Sequence, residues 1–359
     1  MAFLSSENLI SGLYRRRSFG SFGLAVALSC MLITGGLGCG RKDQPHIAPA
    51  EVRIGYFGNL THAQAVLGVS SGEFASAIAP AKLSTKVFNA GPSLIEAVLA
   101  GEVDIGYVGP GPVLNGHLKS RGQGIRVLAG AAENGVLIVA RKGLGITRMK
   151  DLVGRRIATP QHGNTQDIAA RHYVTDVLHQ PDAHNVMPIA NAEQSAMMSR
   201  GEIDAAWAPE PWGSRLIAET GALPIAEEKD LWPGHAFILT LVITTPEFLR
   251  DHPEVVRQIL QVHHRWTMRL NNDPQKYIPQ LEAALFALNG KKLPKGVLAS
   301  SIKRVRFVDD PLTDTIRTMG AWAYDLDFAP RQANLASLID TSILREVERS
   351  GQEVVGSRE

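Results

Sequence analysis

One stretch of this sequence occurs twice. Gly101-Glu102-Val103-Asp104-Ile105-Gly106-Tyr107-Val108 returns as Gly201-Glu202-Ile203-Asp204-Ala205-Ala206-Trp207-Ala208. Each copy follows a helix-like segment, residues 93–100 and 193–200. Each leads through proline into another, by way of Gly109-Pro110-Gly111-Pro112 and Pro209-Glu210-Pro211. The glycine reads as a helix C-cap, the aspartate as the entry to a short buried strand, and the prolines as a helix start. A second pair agrees. Residues 54–57 run into Gly58-Asn59-Leu60-Thr61, and residues 156–160 run towards Gly163-Asn164-Thr165-Gln166. Both read as strand, glycine turn, and a helix opened by Asn or Thr. Such a duplication points to two similar halves.

Strands alternating with helices imply a parallel sheet with helices on its faces, so the expected class is α/β in two lobes joined by a hinge. Ligands of such sheets sit at the carboxyl ends of strands, and two lobes with those edges facing each other enclose a cleft. Residues 127–132 and 136–141 read as strands that leave one lobe and enter the other, and 237–244 as the strand that returns. The first lobe is therefore expected over 51–134 and 241–359, the second over 135–240. After Pro246, Val255, Val256, Ile259, Leu260 and His263 recur at helical spacing. These C-terminal helices are expected to pack on the first lobe.

At 359 residues, 45% hydrophobic and 20% charged, the chain has the makings of an ordinary core. A formal charge of +2 gives no nucleic-acid footprint. The only cysteines, Cys30 and Cys39, precede the body, which excludes a disulfide, a thiolate metal site and a cysteine nucleophile there. No H-E-x-x-H or P-loop occurs. The adjacent His263 and His264 have the wrong spacing for a helical chelate and read as one core and one surface residue. No cofactor or metal is expected.

The N-terminus reads as an address. Arg15-Arg16-Arg17 precedes an apolar, glycine-broken stretch over 19–37, the pattern of a secretory signal. Gly36-Leu37-Gly38-Cys39 resembles a bacterial lipobox, in which the cysteine is lipidated and becomes the new N-terminus. The expectation is a signal peptide over 1–38, lipidation at Cys39, and a polar tether over 39–50 that holds an exported protein at the membrane. Cys30 is the rival acceptor, and a plain cleaved signal the alternative. Arg16-Arg17-Ser18-Phe19 also resembles a twin-arginine signal.

Several segments together resemble a known family. Phe88-Asn89-Ala90-Gly91-Pro92-Ser93, the Gly-Glu-Val-Asp-Ile-Gly-Tyr-Val-Gly-Pro run, Lys150-Asp151-Leu152-Val153-Gly154-Arg155-Arg156-Ile157-Ala158, and Thr244-Thr245-Pro246-Glu247-Phe248-Leu249 with His252-Pro253 are similar to the sulfonate/taurine/nitrate-binding proteins of ABC importers. The resemblance implies a periplasmic-binding-protein-like fold, a small anionic ligand (an aliphatic sulfonate foremost), an ABC permease and ATPase as partners, and a monomer. Nitrate, bicarbonate and thiamine-pyrimidine compounds are the other ligands it implies. Gln161-His162-Gly163-Asn164-Thr165-Gln166-Asp167 and Trp207-Ala208-Pro209-Glu210-Pro211-Trp212 depart from the best-known sulfonate and nitrate binders. Two other classes stand beside this reading: an enzyme of the thiamine-pyrimidine synthase type, and a sensor that reports occupancy to a partner.

Helix N-termini bind oxyanions through unpaired N–H groups, without lysine. The candidate loops are lysine- and arginine-free at their centres. Asn59, Thr61 and His62 open one helix, Gly91 and Ser93 the next, and Gly109 and Gly111 a third. Asn164, Thr165 and Gln166 face them from the second lobe. Each hydroxyl or amide has two readings, ligand donor or ordinary N-cap. Trp207 and Trp212, with Trp232, offer an indole wall for a ligand's apolar part or serve as core. Glu210 reads either as a partner for a ligand amine or as half of an ion pair with Arg215 or another arginine.

Overall fold

The structure is a computed structural model that describes residues 49–330 and 334–356, excluding the side chains of 351–356. The signal segment, Cys30 and Cys39 lie outside the described residues. No helix among those described is long and apolar enough to cross a membrane.

Two mixed sheets with helices on their faces make two α/β lobes, the periplasmic-binding-protein-like class expected. The first sheet holds β1 (Glu51–Phe57), β2 (Lys82–Phe88), β3 (Ile105–Val108) and β4 (Arg126–Asn134). The second holds β5 (Val136–Ala140), β6 (Ile157–Thr159), β7 (Val186–Pro188), β8 (Ala205–Pro209) and β9 (Leu223–Glu227). The chain then returns through β10 (Ile238–Thr244) and β11 (Val305–Phe307), and the spatial orders are β11-β4-β10-β3-β1-β2 and β7-β6-β8-β5-β9. β1, β2 and β3 are parallel, as are β6, β7 and β8. The connecting strands β10 and β5 run antiparallel to their neighbours, so neither sheet is purely parallel.

The duplicated segment occupies the equivalent place in each lobe. Gly101 and Gly201 adopt φ of 70° and 76°, which a Cβ disfavours. Each ends its helix in a Schellman pattern, with Glu102 N donating to Ala97 O and Glu202 N to Met197 O. The aspartate then locks the strand to its neighbour. Asp104 accepts from Arg53 N, Nε and Nη2 at 2.7, 2.9 and 2.6 Å. Asp204 accepts from the same atoms of Arg156 at 3.1, 3.0 and 2.8 Å, and also from Arg141 Nη2 at 3.0 Å.

Val52, Ile54 and Tyr56 of β1 pack with Val255, Ile259 and Leu260 of the helix Pro253–Asn272, which joins the C-terminal part to the first lobe. The second lobe has its own core, including Leu137, Val139, Met198, Ile203 and Leu216. Residues 238–240 belong to the first sheet, so the return begins slightly before the expected boundary. At the first crossing Asn134 and Gly135 both take positive φ, 63° and 82°. Asn134 N donates to Phe237 O at 2.9 Å and its Oδ1 accepts from Phe237 N at 3.2 Å, tying the outgoing and returning segments together.

The hydrogen bonds from Arg156 hold the Asp204 carboxyl well below the usual carboxylate range, despite burial that acts the other way. Its contribution to stability is therefore present above the unfolded pKa of about 4 and fades as pH falls below it. Asp204→Asn should lower unfolding free energy by about 1.5–3 kcal/mol at pH 7, read by urea denaturation, with the difference from wild type shrinking in acid.

Candidate functional site

Between the facing strand ends lies a cavity of about 20 Å³. The first lobe supplies Phe57, Asn59, Thr61 and His62 after β1, Asn89 after β2, and Gly109 after β3. The second supplies Pro160, Asn164, Thr165 and Gln166 after β6, Asn191 after β7, and Pro209 at the end of β8. Leu239 and Thr240 of β10 complete the lining. No lysine, arginine, aspartate or glutamate is among the lining residues.

The polar groups already spend much of their acceptor capacity on one another. Asn59 Oδ1 accepts from Trp212 Nε1 at 2.7 Å across the lobes, which leaves the Asn59 amine as a donor. Asn164 Nδ2 donates to Gln166 Oε1 at 2.9 Å, leaving the Gln166 amine. Thr165 Oγ1 accepts from Gly111 N at 3.3 Å, again across the lobes, and retains its own proton. Burial pushes the His62 pKa down to about 3, so the imidazole is neutral at pH 7. Its Nδ1 accepts from Phe57 N at 3.4 Å, and this contact assigns the proton to Nε2. With the Thr61 and Thr240 hydroxyls, the cavity is rich in donors and free of formal charge, a match for an acceptor-rich ligand.

The loop that presents Asn164 is anchored beneath. Asp167, fully buried, accepts from Thr159 Oγ1, Gly163 N and Arg171 Nε at 2.8, 2.9 and 3.0 Å. Arg171 balances the negative charge so close to the site, and His162 stands 3.4 Å from the same carboxylate, largely exposed.

The structure thus gathers Asn59, Thr61, His62, Gly109, Asn164, Thr165 and Gln166 around one cavity. The other candidates fall elsewhere. Ser93 is exposed, because the helix Gly91–Leu99 buries Leu94, Ile95, Ala97 and Val98 instead. Gly91 and Gly111 act through close packing: a Cβ would meet Pro112 Cγ at 2.4 Å at the first and Ile168 Cδ1 at 2.9 Å at the second. The indole wall is absent from this cavity. Trp207 and Trp232 are core residues that donate to Glu228 at 2.6 and 3.0 Å, and Trp212 braces Asn59 from behind. Glu210 does not face the cavity or pair with Arg215, which binds Glu219 at 2.7 Å. It is fully buried and accepts from Ser214 Oγ and Ser301 Oγ at 2.8 and 3.0 Å and from Arg304 Nη1 at 3.3 Å, joining the second lobe to the C-terminal helices.

Asn89, Asn191, Thr240 and the apolar lining were missed. Asn191 was recoverable, since β7 and its following helix repeat the β2–helix step that places Asn89. His263 and His264 both converge on Asp309, at 3.2 and 2.6 Å, and the Tyr107 hydroxyl lies 3.1 Å from His263. The imidazoles hold the Asp309 carboxyl well below its usual range although burial alone would raise it.

Comparison with known proteins fits this geometry. Residues 46–279, more than half of the chain, match the NMT1-like family. The chain belongs to the NMT1-like family. The family-level resemblance read from the sequence is met. The "Taurine-binding periplasmic protein" of Escherichia coli (strain K12) is 27% identical over 182 residues, 49% of this chain and 54% of that protein, so the match spans about half of each. Among solved structures, the alkanesulfonate-binding protein SsuA from Xanthomonas axonopodis pv. citri bound to MOPS aligns with a TM-score of 0.65 at 20% identity, covering 81% of this chain and 98% of that one. The periplasmic nitrate-binding protein NrtA from Synechocystis PCC 6803 aligns with a TM-score of 0.71 at 10% identity, covering 84% and 89%. At these identities the structural matches establish the fold of this NMT1-like chain.

Two outcomes follow. A Cβ on Gly109 would stand 2.3 Å from Thr165 Oγ1 of the opposite lobe, so Gly109→Ala should obstruct closure and weaken ligand affinity at least tenfold, whereas Ser93→Ala should leave it unchanged. Calorimetric titration separates the two. Burial raises the Glu228 pKa to about 7, against the pull of both indoles. Its protonated form is favoured on folding, so stability is highest below the unfolded pKa of about 4.3 and declines as pH rises towards 7. Glu228→Gln should flatten the melting temperature across that window, and an unchanged pH slope would assign the dependence to another group.

Proposed function

We propose that this protein is the solute-binding component of an ABC import system, which captures a small oxyanion between its lobes and presents it to a membrane permease. The observation that carries this reading is the interlobe cavity at the strand ends, lined by neutral donors from both lobes. An acceptor-only anion matches such a lining, and the absence of a cationic partner allows release without breaking a buried ion pair. The names of the taurine-binding relative and of the sulfonate- and nitrate-binding neighbours support the same class. A cavity of about 20 Å³ has room for one or two waters. Compact anions such as nitrate or bicarbonate suit this closed arrangement, and an aliphatic sulfonate would hold the lobes further apart.

Capture without turnover is favoured over an enzyme of the thiamine-pyrimidine synthase type. His62 is the cavity's titratable lining group, and it is held neutral with Nδ1 turned to the backbone. The histidine and tyrosine cluster around Asp309 does not reach the cavity lining. The export signal and Cys39 support a lipoprotein tethered outside the cytoplasmic membrane. Cys39→Ser should abolish lipid labelling and release the protein from the membrane fraction.

The direct test titrates nitrate, bicarbonate, methanesulfonate, ethanesulfonate and taurine into the purified protein by calorimetry. Small-angle scattering is then recorded with and without a binding anion. At least one anion should bind and reduce the radius of gyration through hinge closure near residues 132–137 and 237–242. Binding of none of them, or an unchanged scattering profile at saturation, would count against the proposal.

A further inference from the structure

Thr240 lies on the strand that carries the chain back to the first lobe, and its environment is unlike that of the other lining residues. It is 1% exposed, and among the described residues its hydroxyl has no hydrogen-bond partner. An orphaned buried hydroxyl is costly in a folded protein and rarely retained without a partner. The backbone around it is irregular too. In the β10–β4 pairing Ile238 faces Glu133, Thr240 faces Ala132 and Leu241 faces Gly130, so register shifts fall on both sides of Thr240. Side chains of a regular strand alternate between faces, yet the adjacent Leu239 and Thr240 both line the cavity. A bulge inserts the extra residue that makes this possible, and bulges commonly re-aim a side chain beside a functional site.

We propose that the bulge in β10 exists to deliver the Thr240 hydroxyl as a hydrogen-bond donor to the bound oxyanion, so that the hinge strand itself reads occupancy. The inference rests on the oxyanion reading of the cavity and adds a contact from the hinge rather than from either set of helix starts. Asn59, Thr61 and His62 belong to the first lobe, and Asn164, Thr165 and Gln166 to the second. Thr240 lies on β10 of the first sheet, a few residues beyond Phe237, whose backbone is paired with Asn134 at the other crossing. A ligand held by all three groups ties the second lobe to the first at the strand that follows the return crossing.

Thr240→Val is nearly isosteric and removes only the hydroxyl, while Thr240→Ser restores it. The probes are nitrate, bicarbonate, methanesulfonate and taurine, titrated by calorimetry into the full chain and both variants, with melting of the ligand-free proteins alongside. For whichever probes bind wild type, the valine variant should lose about ten- to a hundredfold in affinity and the serine variant should remain near native. Removing an unpartnered hydroxyl should also raise the melting temperature of the ligand-free valine variant. A purely structural threonine would show that rise with native affinity, and this result overturns the inference while leaving the oxyanion reading intact. Should wild type bind none of the probes, both fall together. Thr240→Ala carries the same affinity readout if the valine variant does not fold.

Discussion

Closing two lobes over strand ends and helix starts takes many polar groups out of water, and each then needs a partner. That demand organises the cleft. Asn59 is met by the Trp212 indole, Gly111 N by the Thr165 hydroxyl, and the Asn164 amine by Gln166. Asp167 collects the loop beneath them, with Arg171 balancing its charge. Two of these contacts cross from lobe to lobe, so they exist only when the cleft is shut. The donors they leave unspent define what completes the site.

The hinge obeys the same demand. Both crossings must turn the chain between sheets without exposing or stranding backbone groups. Asn134 and Gly135 make the outgoing turn with positive φ, and Asn134 pairs with Phe237 on the way back. Glu210 and Glu228 then brace the connections with buried carboxylates. Glu210 reaches Ser301 and Arg304 of the C-terminal helices, and Glu228 gathers the Trp207 and Trp232 indoles. Acidic and aromatic residues that look like ligand groups in the sequence therefore serve the joint.

The duplication made the architecture legible, because a glycine cap, a locking aspartate and a buried strand each follow from local chemistry. The Arg53–Asp104 and Arg156–Asp204 pairs show why the motif recurs: each aspartate fastens its strand to the neighbour at the same register. Helix starts at the strand ends were legible for the same reason, which is why Asn59, Thr61 and Asn164 to Gln166 meet at one cavity. Ser93 lies outside the cavity because an N-terminal hydroxyl faces either solvent or cleft according to how its helix packs, and nothing local decides that. The tryptophans lie outside the lining because their indole N–H groups go to the buried acceptors that tertiary packing supplies. Thr240 left no trace in the sequence, since a bulge depends on the partner strand as much as on its own residues.

Charge-free recognition also explains why two lobes are needed. A lysine or arginine would attract an anion over about a Debye length, roughly 8–10 Å at moderate salt, and could hold it to one open lobe. The partial charge at a helix start fades within a turn, and a neutral hydroxyl or amide acts only at contact distance. One open lobe with such a lining would therefore hold an anion weakly, in competition with water. When the lobes meet, the donors of both converge on the same small volume and water is excluded, so each hydrogen bond strengthens in the lower dielectric. In the proposed role, recognition and closure are then a single event, and reopening is enough to discharge the ligand.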